Sequence, residues 1–485
     1  MKAKTYAIYF CYQNSGTGKT TCLVFRMWAQ YMAYVAKQKG RQPKQLFITK
    51  NGVLRNEVEK SFGNMGLAYS KRVDEEDLHD YSNNDFDEKE DTDAQADARF
   101  PLFLTSSEWL DVLDKELPGN SFFTQKEIEV RSQSRNFLDD AVERGISAIL
   151  SSRNGEEKIE FVRREMDFSS FRKFWPRINA RQKIDLDPAM VWREIYTYIK
   201  GSVRSLKLDD KERDLPTNRF LDLEDYLVLP RKQSRLNQEQ RAAVFEMYEV
   251  YEKIKKENHY YDSMDVVYNL AGRAKEFAAK GIHMTNNSFL PIDSLYIDEV
   301  QDFTMTELYL VTTLSTDQNN LMLAGDTAQS ITEGVAFRFT DVRQIFFELF
   351  GGQTPDLLTL EHNYRSHSGI LRLAACVVEL LYFFFGDSLD KLPPDLGLFE
   401  GPKPIIMEIS STEELALMLQ GKRESSRIEF GAHQVVIVRN ESVKDYLVKE
   451  FHIDREWIMT VSGVLFYLCW QYQSRVSFNN RIDHK

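Results

Sequence analysis

Ser15-Gly16-Thr17-Gly18-Lys19-Thr20 stands between a strand-like run, Tyr6 to Tyr12, and a helix-like run, Thr21 to Lys39. Strand, glycine-bearing loop and helix in that order make a cradle for phosphate. Backbone N–H groups of the loop and of the helix N-terminus point at one spot, where the helix dipole also favours negative charge. Gly16 and Gly18 let the backbone approach without a Cβ in the way. Lys19 is placed to neutralise terminal phosphates and the Thr20 hydroxyl to ligate a magnesium ion. Gln13 occupies the position of the pattern's first glycine, so the eight-residue form fails at one place. Ser15, Gly16, Thr17, Gly18, Lys19, Thr20 and Thr21 are the expected nucleotide-binding residues.

Working outward, Ser294-Leu295-Tyr296-Ile297 is a short apolar strand that runs into Asp298-Glu299-Val300-Gln301-Asp302. Ligands of parallel α/β sheets bind at the carboxyl ends of strands, where this segment puts two adjacent carboxylates. Asp298 is expected to hold magnesium through its water shell, and Glu299, pointing the other way, to polarise an attacking water. An acidic cluster after a strand is commonly a solvated loop, but this one has company. A third strand, Leu321-Met322-Leu323-Ala324, leads into Gly325-Asp326-Thr327-Ala328-Gln329-Ser330-Ile331, and a further element carries Glu361-His362-Asn363-Tyr364-Arg365-Ser366.

In this order the four segments resemble motifs I to IV of the UvrD/Rep group of superfamily 1 helicases. Within that group, Tyr296-Ile297-Asp298-Glu299-Val300-Gln301-Asp302-Phe303-Thr304 and Ala324-Gly325-Asp326-Thr327-Ala328-Gln329 are similar to the helicase-like region of large TPR and ankyrin repeat-containing proteins, although no repeat of either kind occurs here. The resemblance implies that Gln329 senses the γ-phosphate, that Tyr364 stacks on adenine, and that Arg365 reaches the γ-phosphate from a second lobe. Leu46-Phe47-Ile48-Thr49-Lys50 resembles motif Ia, which implies that Thr49 and Lys50 touch a bound single strand. An aromatic after motif III would stack on a base, yet Phe337-Arg338 arrives three residues later than that motif's spacing.

Departures from the family pattern sit at both ends. The family's adenine-reading glutamine motif is not found in Met1 to Asn14, and the similarly worded Leu236 to Val244 reads as an amphipathic helix. Ile458-Met459-Thr460-Val461-Ser462 resembles the opening of the next motif, but Gly463-Val464-Leu465-Phe466-Tyr467 follows in place of Lys-Gly-Leu-Glu, and no final-motif arginine appears. A truncated form of such a motor is therefore expected.

Bulk properties set the frame. A chain of 485 residues with 42% hydrophobic side chains can bury two or three cores. No stretch reaches the roughly 18 apolar residues of a membrane span, and the run Ala7 to Tyr12 behind Lys2 and Lys4 is shorter than a secretion-signal core. Cys11, Cys22, Cys376 and Cys469 lack metal-ligand spacing, so a reducing, intracellular setting is expected, with nucleus and cytoplasm unresolved. Of the net charge of -12, about -11 lies in Val73 to Asp97, where twelve acids meet the single base Lys89. The rest is near neutral and permits a basic groove without requiring one. The acidic segment reads as a solvated insertion.

The fold expected is α/β: a P-loop NTPase (RecA-like) parallel sheet with a large, mainly helical insertion and a partial second RecA-like lobe. Residues 1–70 with 285–355 form the first domain, 71–284 the acidic linker and insertion, and 356–485 the incomplete second domain. Helix is expected from Gln125 to Leu150 and from Asn237 to Asn258, and Phe161, Phe168, Phe171, Phe174 and Trp175 are expected to pack in a core. The function expected is ATP- and magnesium-dependent translocation or unwinding on single-stranded DNA or RNA. Glu299, Lys19, Gln329 and Arg365 carry the chemistry, Thr20 and Asp298 the metal, and the insertion meets any protein partner. A non-hydrolysing nucleotide switch or interaction module is the alternative; a different P-loop enzyme such as a kinase fits the last two motifs poorly.

Overall fold

The computed structural model describes residues 9–12, 16–37, 42–70, 100–136, 162–203, 220–230, 233–279, 290–315, 320–326, 339, 342–343, 346–347, 356–385, 393–405, 436–438, 441–451 and 458–460. Eight strands organise the part that carries the motifs: β1 (Tyr9–Tyr12), β2 (Gln45–Thr49), β3 (Leu102–Thr105), β4 (Arg164–Glu165), β5 (Tyr260–Tyr261), β6 (Ser294–Ile297), β7 (Leu321–Gly325) and β8 (Asp356–Thr359). Six of them form one sheet in the order β3-β2-β6-β7-β1-β8, with every neighbouring pair parallel.

A parallel sheet must bury both faces, and its strands accordingly read as unbroken apolar runs. Side-chain alternation sorts them. Leu46, Ile48, Leu295, Ile297, Leu321 and Leu323 join one core with Trp109, Leu113, Met264, Val267, Leu308 and Val311. Phe47, Tyr296, Met322 and Ala324 face the other way, onto Leu23, Val24 and Met27 of the helix Lys19–Lys37 and Val58 and Phe62 of the helix Gly52–Ser70. Because all six strands run the same way, the carboxyl ends of β1, β6, β7 and β8 lie along one edge of the sheet.

A separate core fills the helical region, built on Phe171, Val191, Trp192, Ile199, Tyr226, Val244, Met247 and Tyr251. Phe168, Phe174 and Trp175 pack against it, as expected for those aromatics, while Phe161 lies outside the described residues. The helix Gln238–Glu257 starts on a capping box between Asn237 and Gln240 and buries Arg241, Ala243 and Val244, so the glutamine-motif look-alike is an amphipathic helix. The helix beginning at Gln125 is described to Asn136; residues 137–150 and the acidic segment lie outside the described residues. Among the described residues no helix is long and apolar enough to cross a membrane.

Two strands of the sheet come from outside the ranges expected for the first domain. Residues 71–284 are not all linker and insertion: β3 pairs with β2 at Leu46↔Leu102 to Thr49↔Thr105, and the helix Ser263–Ala279 packs in the sheet's own core. The capping box of Thr105 and Glu108 launches a helix directly from the end of the short apolar Leu102–Thr105. At the other boundary the sheet does not stop at 355, because Asp356–Thr359 pairs with β1 from Tyr9↔Asp356 to Tyr12↔Thr359. Farther on, Val436–Val438 pairs parallel with Ile458–Thr460.

Candidate functional site

The turn Gly16–Gly18 between β1 and its helix has two residues in the left-handed region, Gly16 at φ +92° and Gly18 at φ +90°. Only glycine adopts these values without strain. A Cβ on Gly16 would also sit 2.7 Å from Asn363 Oδ1 and 2.8 Å from Arg365 Cβ. The helix opens at Lys19, whose side chain is buried, as is that of Thr17. The Thr20 hydroxyl donates to Asp298 Oδ2 at 2.5 Å. That contact spans 278 residues of sequence and is made possible by the sheet edge.

Asp298 ends β6; its N–H donates to the Ile48 carbonyl, and its Oδ1 accepts the Glu299 N–H at 3.0 Å. It is fully buried. Burial first and the neighbouring Glu299 second push its pKa up to about 7, against the opposing pull of the Thr20 hydroxyl and Lys19. A buried carboxylate beside a hydroxyl offers oxygen ligands that suit a hard divalent cation, which would restore the charged form. Glu299 adopts a left-handed backbone, φ +51°, uncommon for a residue with a Cβ. Its carboxylate accepts a hydrogen bond from Gln301 Nε2 at 2.6 Å, and Gln301 Oε1 accepts the N–H of Asp326 at 2.9 Å.

The Asn363–Ser366 turn docks straight onto the glycine turn: Tyr364 N–H donates to the Gly16 carbonyl at 2.9 Å. Asn363 is buried and shapes this turn. Its Oδ1 accepts from the N–H groups of Arg365 and Ser366, and its Nδ2 donates to Asp395. That leaves Tyr364 69% exposed, its ring open to stack on a flat ligand, with the exposed Arg365 next to it.

Gly16, Thr17, Gly18, Lys19, Thr20, Asp298, Glu299, Tyr364 and Arg365 are thus gathered at one edge. Thr21 is exposed on the first helical turn. Ser15 and Gln329, like Gln13 and the Phe337-Arg338 pair, lie outside the described residues. Thr49 closes β2 on the same edge and Lys50 follows it. Thr49 is fully buried, and Lys50 forms an ion pair with the buried Glu307 while its ammonium sits 5.0 Å from the centre of the Phe303 ring. Glu307 also closes the capping box of Thr304 at the start of the helix Met305–Thr313. Sequence reasoning missed Gln301, Asn363 and Glu307. The Thr304-x-x-Glu307 spacing was a readable helix-start signal; Gln301 and Asn363 stand inside two of the motif-like segments, but nothing in the linear order gave either its partner.

Fold and cluster define the class: an α/β protein whose parallel sheet assembles a glycine turn, a buried lysine and paired carboxylates at the carboxyl ends of its strands. The chain belongs to the UvrD/REP helicase family, whose N-terminal domain matches residues 11–346. It is 34% identical to the human TPR and ankyrin repeat-containing protein 1 over 436 residues, which is 84% of this chain and 14% of that protein. It is also similar to the ATP-dependent DNA helicase Rep of Buchnera aphidicola, 33% identical over 100 residues, 20% of this chain and 14% of the relative. With the ATP-dependent DNA helicase srs2 of Schizosaccharomyces pombe it shares 34% identity over 109 residues, 22% of this chain and 11% of the relative. This chain therefore spans about one seventh or less of the length of each of these relatives.

Proposed function

We propose that this chain binds magnesium-ATP at the sheet edge and hydrolyses it in step with movement along a single strand of DNA or RNA, as an ATP-dependent helicase or translocase. One observation carries the reading: the Thr20 hydroxyl, Lys19 and the buried Asp298 converge beside Glu299, although they come from opposite ends of the domain. In this reading the turn from Ser15 to Thr21 cradles the phosphates and Lys19 neutralises the terminal ones. Thr20 and Asp298 hold magnesium, which offsets charge on the phosphates and the leaving group. Glu299 accepts the proton of an attacking water. Tyr364 stacks on the adenine, and Arg365 and Gln329 respond to the γ-phosphate. A RecA-like first lobe carries the sheet, the helical unit is its insertion, and residues after 360 open a second lobe. Thr49 and Lys50 face the strand only if the Lys50–Glu307 pair opens.

A non-hydrolysing nucleotide switch is the second reading, favoured by Gln13 in place of the first loop glycine. Steady-state magnesium-dependent ATPase activity, with and without a single-stranded oligonucleotide, separates the two. Turnover that rises with the strand and is lost in Glu299→Gln supports the motor. Nucleotide binding without turnover supports the switch. Lys19→Ala is expected to lose nucleotide binding under either; unchanged binding in that variant would put the site elsewhere.

A further inference from the structure

The side chain of Gln301 lies between two parts of the site that the linear sequence separates. It is 1% exposed. Hydrogen bonds to two partners settle the orientation of the amide, because a carboxylate can only accept and a backbone N–H can only donate. Nε2 therefore faces Glu299 Oε2 at 2.6 Å and Oε1 faces the Asp326 N–H at 2.9 Å. The fit is close: a Cβ on Gly325 would come within 2.5 Å of that same Oε1 and 2.6 Å of Val300 Cγ1, so the end of β7 must be glycine for the amide to reach Asp326. Glu299 needs an external hold. Its left-handed backbone turns the side chain away from the path that a regular strand end would give it, and a carboxylate that is to take a proton from water must stay within hydrogen-bond reach of that water.

We propose that Gln301 is a positioning residue, which holds the Glu299 carboxylate in place and ties that position to the end of β7. The inference rests on the hydrolytic reading above and adds to it the group that aims the base. A base misplaced by about 1 Å can lose a hundredfold in rate. Two variants divide the role. Gln301→Leu removes both hydrogen bonds at similar volume. Gln301→Glu keeps the acceptor for Asp326 but turns the other half into a second carboxylate facing Glu299.

The test is steady-state magnesium-ATPase kinetics for wild type, both variants and Glu299→Gln, with nucleotide affinity and thermal midpoint measured in parallel. Gln301→Leu is expected to lower kcat by roughly tenfold to a hundredfold with KM and nucleotide affinity within about threefold of wild type. Gln301→Glu, which sets like charges against each other beside the base, is expected to lower kcat at least as far, again with nucleotide affinity within about threefold of wild type. A purely structural role would lower the thermal midpoint and weaken nucleotide affinity together with kcat, without the selective loss in kcat. Wild-type kcat in Gln301→Leu, beside lost turnover in Glu299→Gln, would overturn the inference and leave the hydrolytic reading standing. Absence of turnover in the wild type would overturn both.

Discussion

Asp298 is a carboxylic acid whose pKa is pushed up to about 7 by burial and by the neighbouring Glu299. A raised folded-state pKa means that its contribution to stability is present below the ordinary carboxylate value of 3.8 and is lost as pH rises through about 7. The nucleotide-free chain is therefore expected to lose stability across that window relative to Asp298→Asn, and magnesium, by pairing the charged form, to flatten the slope. Urea midpoints of both proteins at several pH values, with and without magnesium, check this; parallel curves would remove Asp298 as the titrating group. Gly16 permits a second prediction at this scale. Gly16→Ala combines φ +92° with a Cβ pressed against Asn363 and Arg365, and is expected to cost about 1–3 kcal/mol while weakening nucleotide binding. Equilibrium unfolding and nucleotide titration of this variant read both effects, and wild-type behaviour in both would mean that the Asn363–Ser366 turn does not rest on the loop.

Among the elements, the π-helical segment Glu194–Lys200 and the helix Gln238–Glu257 are joined by a charge cluster centred on the buried Lys200, Lys255 and Asp262. Lys200 Nζ donates to Glu252, Asp262 and Asp265 at 2.8, 2.6 and 2.8 Å, and Lys255 Nζ to the same three at 2.9, 2.8 and 2.7 Å. These three carboxylates lie close enough to hold a cation, but the two ammoniums supply that charge. Burial alone would raise the pKa of Asp262, yet Lys200 and Lys255 outweigh it and hold the carboxyl well below the usual range. Its contribution is thus complete above about pH 4 and is lost as pH falls toward the depressed value. Lys200→Met leaves three carboxylates to one ammonium and is expected to destabilise the chain by about 3–5 kcal/mol. A urea midpoint unchanged in that variant would mean that the cluster contributes nothing net. The same segment reaches the nucleotide side of the sheet, since Gly201 accepts the N–H of Thr306 on the helix that follows the paired carboxylates.

At the scale of the whole molecule, the helix Ser368–Phe385 carries an apolar stripe that no described residue covers. Ile370, Leu373, Val377 and Leu380 recur at helical spacing, and Leu373 is 44% and Leu380 58% exposed. A stripe of this kind is adhesive in water. Replacing Leu373 and Leu380 together by Glu is expected to raise solubility and reduce binding of an apolar fluorescent dye, with stability within about 0.5 kcal/mol of wild type. A large loss of stability would instead mean that the stripe is buried in solution.

What the sequence determined by itself is the set of local arrangements. The strand, glycine turn and helix around Lys19, the apolar strand ending in Asp298-Glu299, the helix Gln238–Glu257 and the packing role of Phe171 follow from periodicity, capping and short-range sterics, which act over a few residues. The tertiary structure decided everything that depends on partners far apart in the chain. It brought Thr20 to Asp298, set Gln301 between Glu299 and Asp326, laid Asn363 on Gly16, and recruited Leu102–Thr105 and Asp356–Thr359 into the sheet. It also buried Thr49 and gave Lys50 to Glu307. A strand's sheet and a charge's partner are settled by which neighbours compete for them, and those neighbours are defined only once the chain has closed on itself.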